Sequence, residues 1–156
     1  MKGDFTIERP RLVDVDRMKK ILDVFAGKGE LLARSRMDFY EKIRDFHVVR
    51  MDGEIIGLSA LHVLWEDLAE IRSLAVVDEA QGKGIGGMLV ERCMADATEL
   101  GIAKVFTLTY RPGFFQKHGF AEVDKSALPH KVWKACLECV QFPDCNEIAL
   151  IREFVR

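Results

Sequence analysis

Residues 81 to 87 read Gln-Gly-Lys-Gly-Ile-Gly-Gly, with glycine at four of the six positions from Gly82 to Gly87. The turn follows an apolar stretch, Ala69 to Val77, that reads as a strand. It leads into a helical stretch that runs to about Leu100. In that helix Ile85, Leu89, Cys93 and Ala97 recur at four-residue steps along one face, with Leu100 expected to close the stripe and Gly101 to end the helix. Glycines let a ligand approach the backbone closely. The first N–H groups of a helix have no partner within it, and the helix dipole adds partial positive charge there, so phosphate is the natural guest. Two phosphate folds fit poorly. Gly82-x-Gly84-x-x-Gly87 matches the dinucleotide spacing, but the next strand ends in Leu108, Thr109 and Tyr110, where that fold needs an acid for the ribose. The turn also comes after several strands, not at the start of the fold. A mononucleotide P-loop needs Ser or Thr after Gly-Lys, and Gly82-Lys83 is followed by Gly84.

The rest of the chain predicts strands at Phe5–Glu8, Phe46–Met51, Glu54–Leu64, Val105–Thr109, Phe120–Val123 and Ile148–Phe154. Helices are expected from an Asp14 N-cap to Gly27, over Met37–Asp45 and over Val132–Leu137, with a short helical turn at Phe114–His118. Asp52-Gly53 is a hairpin turn, whose two central residues need positive φ. Helices and hairpins are thus mixed with one parallel crossover, Ala69–Val77 to Val105–Thr109. This predicts an α/β domain whose mixed, mostly antiparallel sheet is flanked by helices. With 156 residues, one domain over 1–156 is expected. Acidic residues number 25 and basic residues 23, which gives no reason to expect nucleic acid. No apolar run is long enough for a membrane helix, and Met1–Pro10 lacks a signal-peptide core. A cytosolic protein with reduced thiols, or thiols on a metal, is the expectation.

The segment Leu74-Ala-Val-Val-Asp-Glu-Ala-Gln-Gly-Lys-Gly-Ile-Gly-Gly resembles the acetyl-CoA site of the GNAT superfamily of N-acetyltransferases. Gln81, Gly84 and Gly86 match its Gln/Arg-x-x-Gly-x-Gly/Ala signature. Phe114-Phe115-Gln-Lys-His-Gly119-Phe120 is similar to the family's later aromatic-pair signature, and the resemblance spans about Phe5 to Val123. It implies the GNAT fold, with the crossover at the acetyl-CoA site and acetyl-CoA as cosubstrate. The backbone of Gln81, Gly82, Lys83, Gly84, Ile85, Gly86 and Gly87 would hold the pyrophosphate. Leu74 and Val76 would pair with the pantetheine arm, and an N–H near Leu74 or Ala75 would meet the oxyanion.

Acyl transfer to an amine needs a neutral amine and a place for its proton. Glu70, four residues before Leu74, stands where the family often carries its base. The tyrosine that many relatives place in the aromatic pair is absent from Phe114-Phe115, and Tyr110 is the substitute for an acid on the leaving thiolate. Ala60–Val76 with Phe25-Ala-Gly and Arg34-Ser-Arg36 further resembles short-form N-acetylglutamate synthases, implying L-glutamate as the small-molecule acceptor and a homodimer. A substrate with two carboxylates calls for arginines. Arg36 matches a substrate-carboxylate arginine of those enzymes. Arg72 lies two residues beyond Glu70 on one strand face, and Thr109 falls where relatives carry a serine.

The basic C-terminal segment of the relatives is replaced by Cys136-x-x-Cys139-x5-Cys145, with His130 upstream, within about residues 130–146. These residue types suit zinc or a packed thiol cluster. Cys93 is expected in the core. His62 alternates with apolar neighbours and faces either core or cleft, while His47 and His118 are structural or at the surface. Two other readings stay open: an acetyltransferase for another amine or a protein amino group, and an acyl-CoA-binding module without catalysis.

Overall fold

Asp52 and Gly53 both have positive φ, 53° and 81°, and turn the chain between its second and third strands as their sequence requires. The computed structural model of the chain describes residues 4–128 and 147–154. Among the described residues, seven strands form one sheet in the order β1-β2-β3-β4-β5-β7-β6. The chain divides into two compact units, Met1–His62 with Ile71–Asp96, and Val63–Glu70 with Ala97–Arg156.

The first unit holds β1 (Phe5–Glu8), β2 (Phe46–Met51), most of β3 (Glu54–Trp65) and the second part of β4 (Leu68–Val76). It also holds α1 (Val15–Gly27), α2 (Arg36–Glu41) and most of α3 (Ile85–Leu100). Strands β1, β2 and β3 run antiparallel in sequence. The β2–β3 register shifts between Val49↔Gly57 and Arg50↔Ile55, which leaves Ile56 as the extra residue of a bulge. The freed Ile56 carbonyl accepts the Val77 amide at 2.9 Å. Alternation sends side chains to two cores. Val15, Met18, Leu22 and Phe39 of the first two helices pack with Phe46, Val48, Leu58 and Ala75. Ile85 and Leu89 of α3 pack with Val49, Ile56 and Ala80.

In the second unit, Leu68–Glu70 of β4 run parallel to Lys104–Phe106 of β5 (Lys104–Thr109). Strand β7 (Ile148–Glu153) pairs antiparallel with β5 and with β6 (Ala121–Val123). Leu68, Phe106, Leu128 and Ala149 form its core. On α4 (Pro112–Gln116), Phe115 is buried and meets Phe120 edge-on, with ring centroids 5.4 Å apart.

Several boundaries differ from the sequence reading for identifiable reasons. Asp14 does precede α1, but its carboxylate accepts from the Arg11 amide and from Arg50 rather than capping the helix. Helix α2 starts at Arg36 because the Ser35 hydroxyl caps the Asp38 amide, and it stops at Glu41, with a 3-10 turn over Ile43–Asp45. Leu100 does not close the apolar stripe of α3; it is 62% exposed. Gly101, at φ 78°, reverses the chain there. Its amide bonds to Thr98 and that of Ile102 to Ala97, so the buried Ile102 takes the place expected of Leu100. The helix expected at Val132–Leu137 lies outside the described residues, as do His130, Cys136, Cys139 and Cys145.

His47, on β2, is buried beside Asp96, with Nδ1 3.6 Å from its carboxylate. Burial, with Arg9 and Arg92 nearby, pushes its pKa from 6.5 down to about 4 against the pull of Asp96. The unfolded chain therefore takes up this proton first. The stability contributed by neutral His47 is complete above pH 6.5 and is lost as pH falls toward 4, by at most about 3 kcal/mol. Urea unfolding at pH 7.5 and 4.5 should show a smaller acid loss in His47→Asn than in the wild type. Equal losses would refute the assignment.

Candidate functional site

The amides leading into the glycine turn are already engaged: Ala80 bonds to Val77 and Gln81 to Asp78. The Gln81 side chain folds back, donating Nε2 to the Val76 carbonyl at 3.1 Å and to Asp78 Oδ1 at 3.2 Å. Gly82 and Gly84 then take φ 81° each. A Cβ at either position would meet nothing within 4 Å, so glycine is needed here for backbone handedness and not for space. Helix α3 begins at Ile85, and its first ladder bond runs from the Met88 amide to the Gly84 carbonyl at 3.1 Å. The amides of Ile85, Gly86 and Gly87 precede that bond, so helix geometry gives them no intrahelical acceptor. No acidic residue lies in the first helical turn to compete with an anion. Gln81 to Gly84, including Lys83, are exposed, while Ile85 is buried and anchors the helix start. These donors, left-handed glycines and helix dipole fit a pyrophosphate.

The turn continues from β4 through a 3-10 turn at Asp78–Ala80. Leu74 and Val76 are half-buried and Ala75 is buried, which is the alternation of an ordinary strand. One residue departs from it: Ser73 has φ 57° in mid-strand. Of the two arginines in Arg34-Ser35-Arg36, Arg34 reaches β4, donating Nε to Ser73 Oγ at 2.7 Å. Arg36 opens α2, exposed, paired with Asp16 and bonded to the Tyr40 hydroxyl at 3.0 Å. These bonds hold its guanidinium firmly charged. Arg72 is half-buried on β4.

In the second unit Glu70 is half-buried and stands in register with Phe106 of β5. Alternation puts Glu70 with Leu68, Phe106 and Leu108 on one face, and Thr109 with Val105 and Thr107 on the other. Thr109 accepts the Arg111 amide on its own hydroxyl at 2.9 Å. Tyr110 follows β5 and is 36% exposed. Phe115 is core, and Phe114 meets its ring edge-on and lies tilted against that of His118.

Residues 42–122 match the Acetyltransferase (GNAT) domain. The chain belongs to the GNAT acetyltransferase family. This acetyltransferase is 40% identical, over 96% of its length and 97% of the relative's, to a protein of Chlorobaculum tepidum described as an uncharacterized N-acetyltransferase. It is 38% identical, over 81% of its length and 74% of the relative's, to an amino-acid acetyltransferase of Mycobacterium tuberculosis. Among solved structures, the Mycobacterium tuberculosis protein Rv2747, in complex with CoA, superposes with a TM-score of 0.84 at 31% identity, covering 96% of this chain and 99% of that one. An N-acetylglutamate synthase of Neisseria gonorrhoeae, complexed with coenzyme A and N-acetyl-glutamate, gives 0.90 at 26% identity over the whole of this chain and 36% of that one. The acetyltransferase is an acetyl-CoA-dependent N-acetyltransferase, and its seven-stranded mixed sheet with the β4–β5 parallel pair is the GNAT fold. Among the described residues no helix is long and apolar enough to cross a membrane.

Sequence reasoning passed over Ser73 and gave Arg34 no role. Ser73 carries no local signal, since its neighbours alternate as in any strand. Arg34 had only its place beside Arg36. His62, left open between core and cleft, is buried and bonded to Asp45. The Cys93 thiol is buried against Ser59, and burial pushes its pKa up to about 11, so it stays protonated and inert.

The left-handed backbone at Gly84 makes a direct test. A residue with Cβ there is disfavoured by roughly 1–2 kcal/mol. Gly84→Ala should weaken acetyl-CoA binding about tenfold by calorimetry as the turn relaxes from that conformation, with a loss of no more than a few degrees, about 2–8 °C, in the melting temperature of the free protein. Unaltered affinity would remove the turn from the coenzyme site.

Proposed function

We propose that this acetyltransferase transfers the acetyl group of acetyl-CoA to the α-amino group of L-glutamate. The reading rests on the pairing of Glu70 with Arg72, a base and a carboxylate-binding cation two residues apart on β4, the strand that runs into the coenzyme turn. It is supported by the likeness to an amino-acid acetyltransferase over most of both chains and to an N-acetylglutamate synthase solved with its acetylated product. We read residues 1–156 as one catalytic domain, working in the cytosol as a homodimer.

In this mechanism the backbone of Gln81–Gly87 holds the pyrophosphate and that of Leu74 and Val76 aligns the pantetheine arm. Arg72 and Arg36 take the two substrate carboxylates, and Arg36 exchanges its Asp16 partner for one of them. Glu70 accepts the ammonium proton, directly or through water. The freed amine nitrogen bonds to the thioester carbonyl carbon, and the oxyanion that forms is met by the amide of Leu74 or Ala75. The carbon–sulfur bond then breaks. The nitrogen gives up its second proton as the amide forms, Tyr110 protonates the departing thiolate and takes that proton back in turn, and a thiol near pKa 8.5 also leaves readily unaided. No acyl-enzyme forms.

Glutamate should release CoA thiol from acetyl-CoA with sequential kinetics; no release with glutamate, or a stable acetylated protein without it, would overturn the reading. Glu70→Gln should lower kcat about 100-fold and leave the acetyl-CoA dissociation constant within about twofold; an unchanged kcat would exclude Glu70 as the base. Losing a charged carboxylate contact costs roughly 1.5–3 kcal/mol. Arg72→Ala and Arg36→Ala should therefore each raise the glutamate KM about 10- to 100-fold. An unaltered KM removes the arginine concerned from the substrate site.

A further inference from the structure

Arg34 is a buried charge, its side chain 4% exposed, and each nitrogen of its guanidinium has a partner. Nε donates to Ser73 Oγ at 2.7 Å, NH1 donates to Asp38 Oδ2 at 2.7 Å, and NH2 meets His62 Nε2. The guanidinium also lies over the Phe46 ring, 5.1 Å from its centroid. Asp38 is in turn held by Lys42 at 2.8 Å, and Lys19 donates to the Arg34 carbonyl at 2.9 Å. Arginine has only donors, so His62 Nε2 must be the acceptor. The ring is then neutral and keeps its proton on Nδ1, which donates a hydrogen bond to Asp45 Oδ2 at 2.7 Å. Burial and the charges of Arg34 and Arg72 favour that neutral form, against the pull of Asp45. The chain Asp45–His62–Arg34–Ser73 thus has one proton arrangement in which every bond is made.

What this chain ends on is the left-handed residue of β4. Apart from Asp52 in its hairpin turn, Ser73 is the only described non-glycine residue with positive φ. Such a conformation persists where the surroundings over-determine it. The surroundings here are the Arg34 bond on its hydroxyl and burial of the side chain. The backbone of Ser73 sets the direction of the next peptide, and so of the Leu74 N–H, in the stretch Leu74–Val76.

We propose that Arg34, braced by Asp38 and by the His62–Asp45 pair, is a positioning residue that keeps β4 kinked at Ser73 and thereby presents the Leu74–Val76 backbone to the acyl-CoA arm. The proposal rests on the reading that this backbone lines the arm, and not on which amine accepts the acetyl group. A planar, three-way fork suits this brace; a lysine ammonium is a point charge that does not reproduce it.

The test separates position from mere stability because glycine adopts the left-handed conformation unaided. Acetyl-CoA affinity is measured by calorimetry, independent of the acceptor, with melting curves to confirm folding. Ser73→Gly should bind within about twofold of the wild type. Ser73→Ala, which keeps the strain and loses the hydroxyl, should bind about tenfold more weakly. Arg34→Lys should lose about tenfold alone, but no more than about twofold when combined with Ser73→Gly. The proposal is overturned if Ser73→Ala binds like the wild type, or if Arg34→Lys loses as much affinity with Ser73→Gly as without it. Glutamate failing as acceptor while these affinities behave as stated would sink the substrate assignment and leave the brace intact.

Discussion

The seat of α3 on the sheet is the contact on which the coenzyme site depends. At Gly57 of β3 a Cβ would lie 3.2 Å from Ile85 Cγ2 and 3.3 Å from Leu89 Cδ1, closer than such contacts normally allow. Glycine there lets the first two turns of the helix settle against the strand, with Val49, Ile56 and Ala80 around them. Interiors are close-packed, so a helix seated this tightly has little freedom to slide. The donor end of the helix is thereby fixed relative to β4. The bulge at Ile56 adds a second tie, because its carbonyl takes the Val77 amide just where β4 gives way to the turn.

Two buried histidines of the first unit are held neutral by different means. His47 is desolvated between Asp96 and two arginines, and its neutrality follows from burial and net positive surroundings. The neutrality of His62 is required by geometry, since one ring nitrogen must accept from an arginine while the other donates to a carboxylate. A buried guanidinium is costly unless its donors are all met. Asp38, His62 and Ser73 take a donor from each of its three nitrogens, and the Phe46 face adds a cation–π contact. The arrangement stabilises a backbone conformation that serine alone would not choose.

Much of the fold was legible because the signals are local. The Asp52-Gly53 hairpin, the strand periods of Phe5–Glu8 and Phe46–Met51, and the Ile85–Ala97 stripe all follow from steric rules within a few residues. The coenzyme turn was legible for the same reason, since glycine pairs and a helix start are chemically distinctive. Where the reading slipped, a capping event decided the outcome. Ser35 pulled the start of α2 forward, and the reversal at Gly101 gave the buried place to Ile102 instead of Leu100. The candidate acid, Tyr110, was found by its place at the end of β5 and Thr109 by its match to a serine of relatives, but alternation, not residue type, sets Thr109 on the face opposite Glu70.

By itself the sequence determined the order of elements, the glycine turn and the family, because these depend on spacing, handedness and residue chemistry along a short stretch of chain. Only the tertiary structure decided that Arg34 rather than Arg36 reaches β4, that His62 accepts rather than donates at Nε2, and that Ser73 is left-handed. Each of those outcomes is set by partners 17 to 39 residues away in the chain. No local propensity encodes such a bond, since it exists only once packing has brought the donor and the acceptor together away from water.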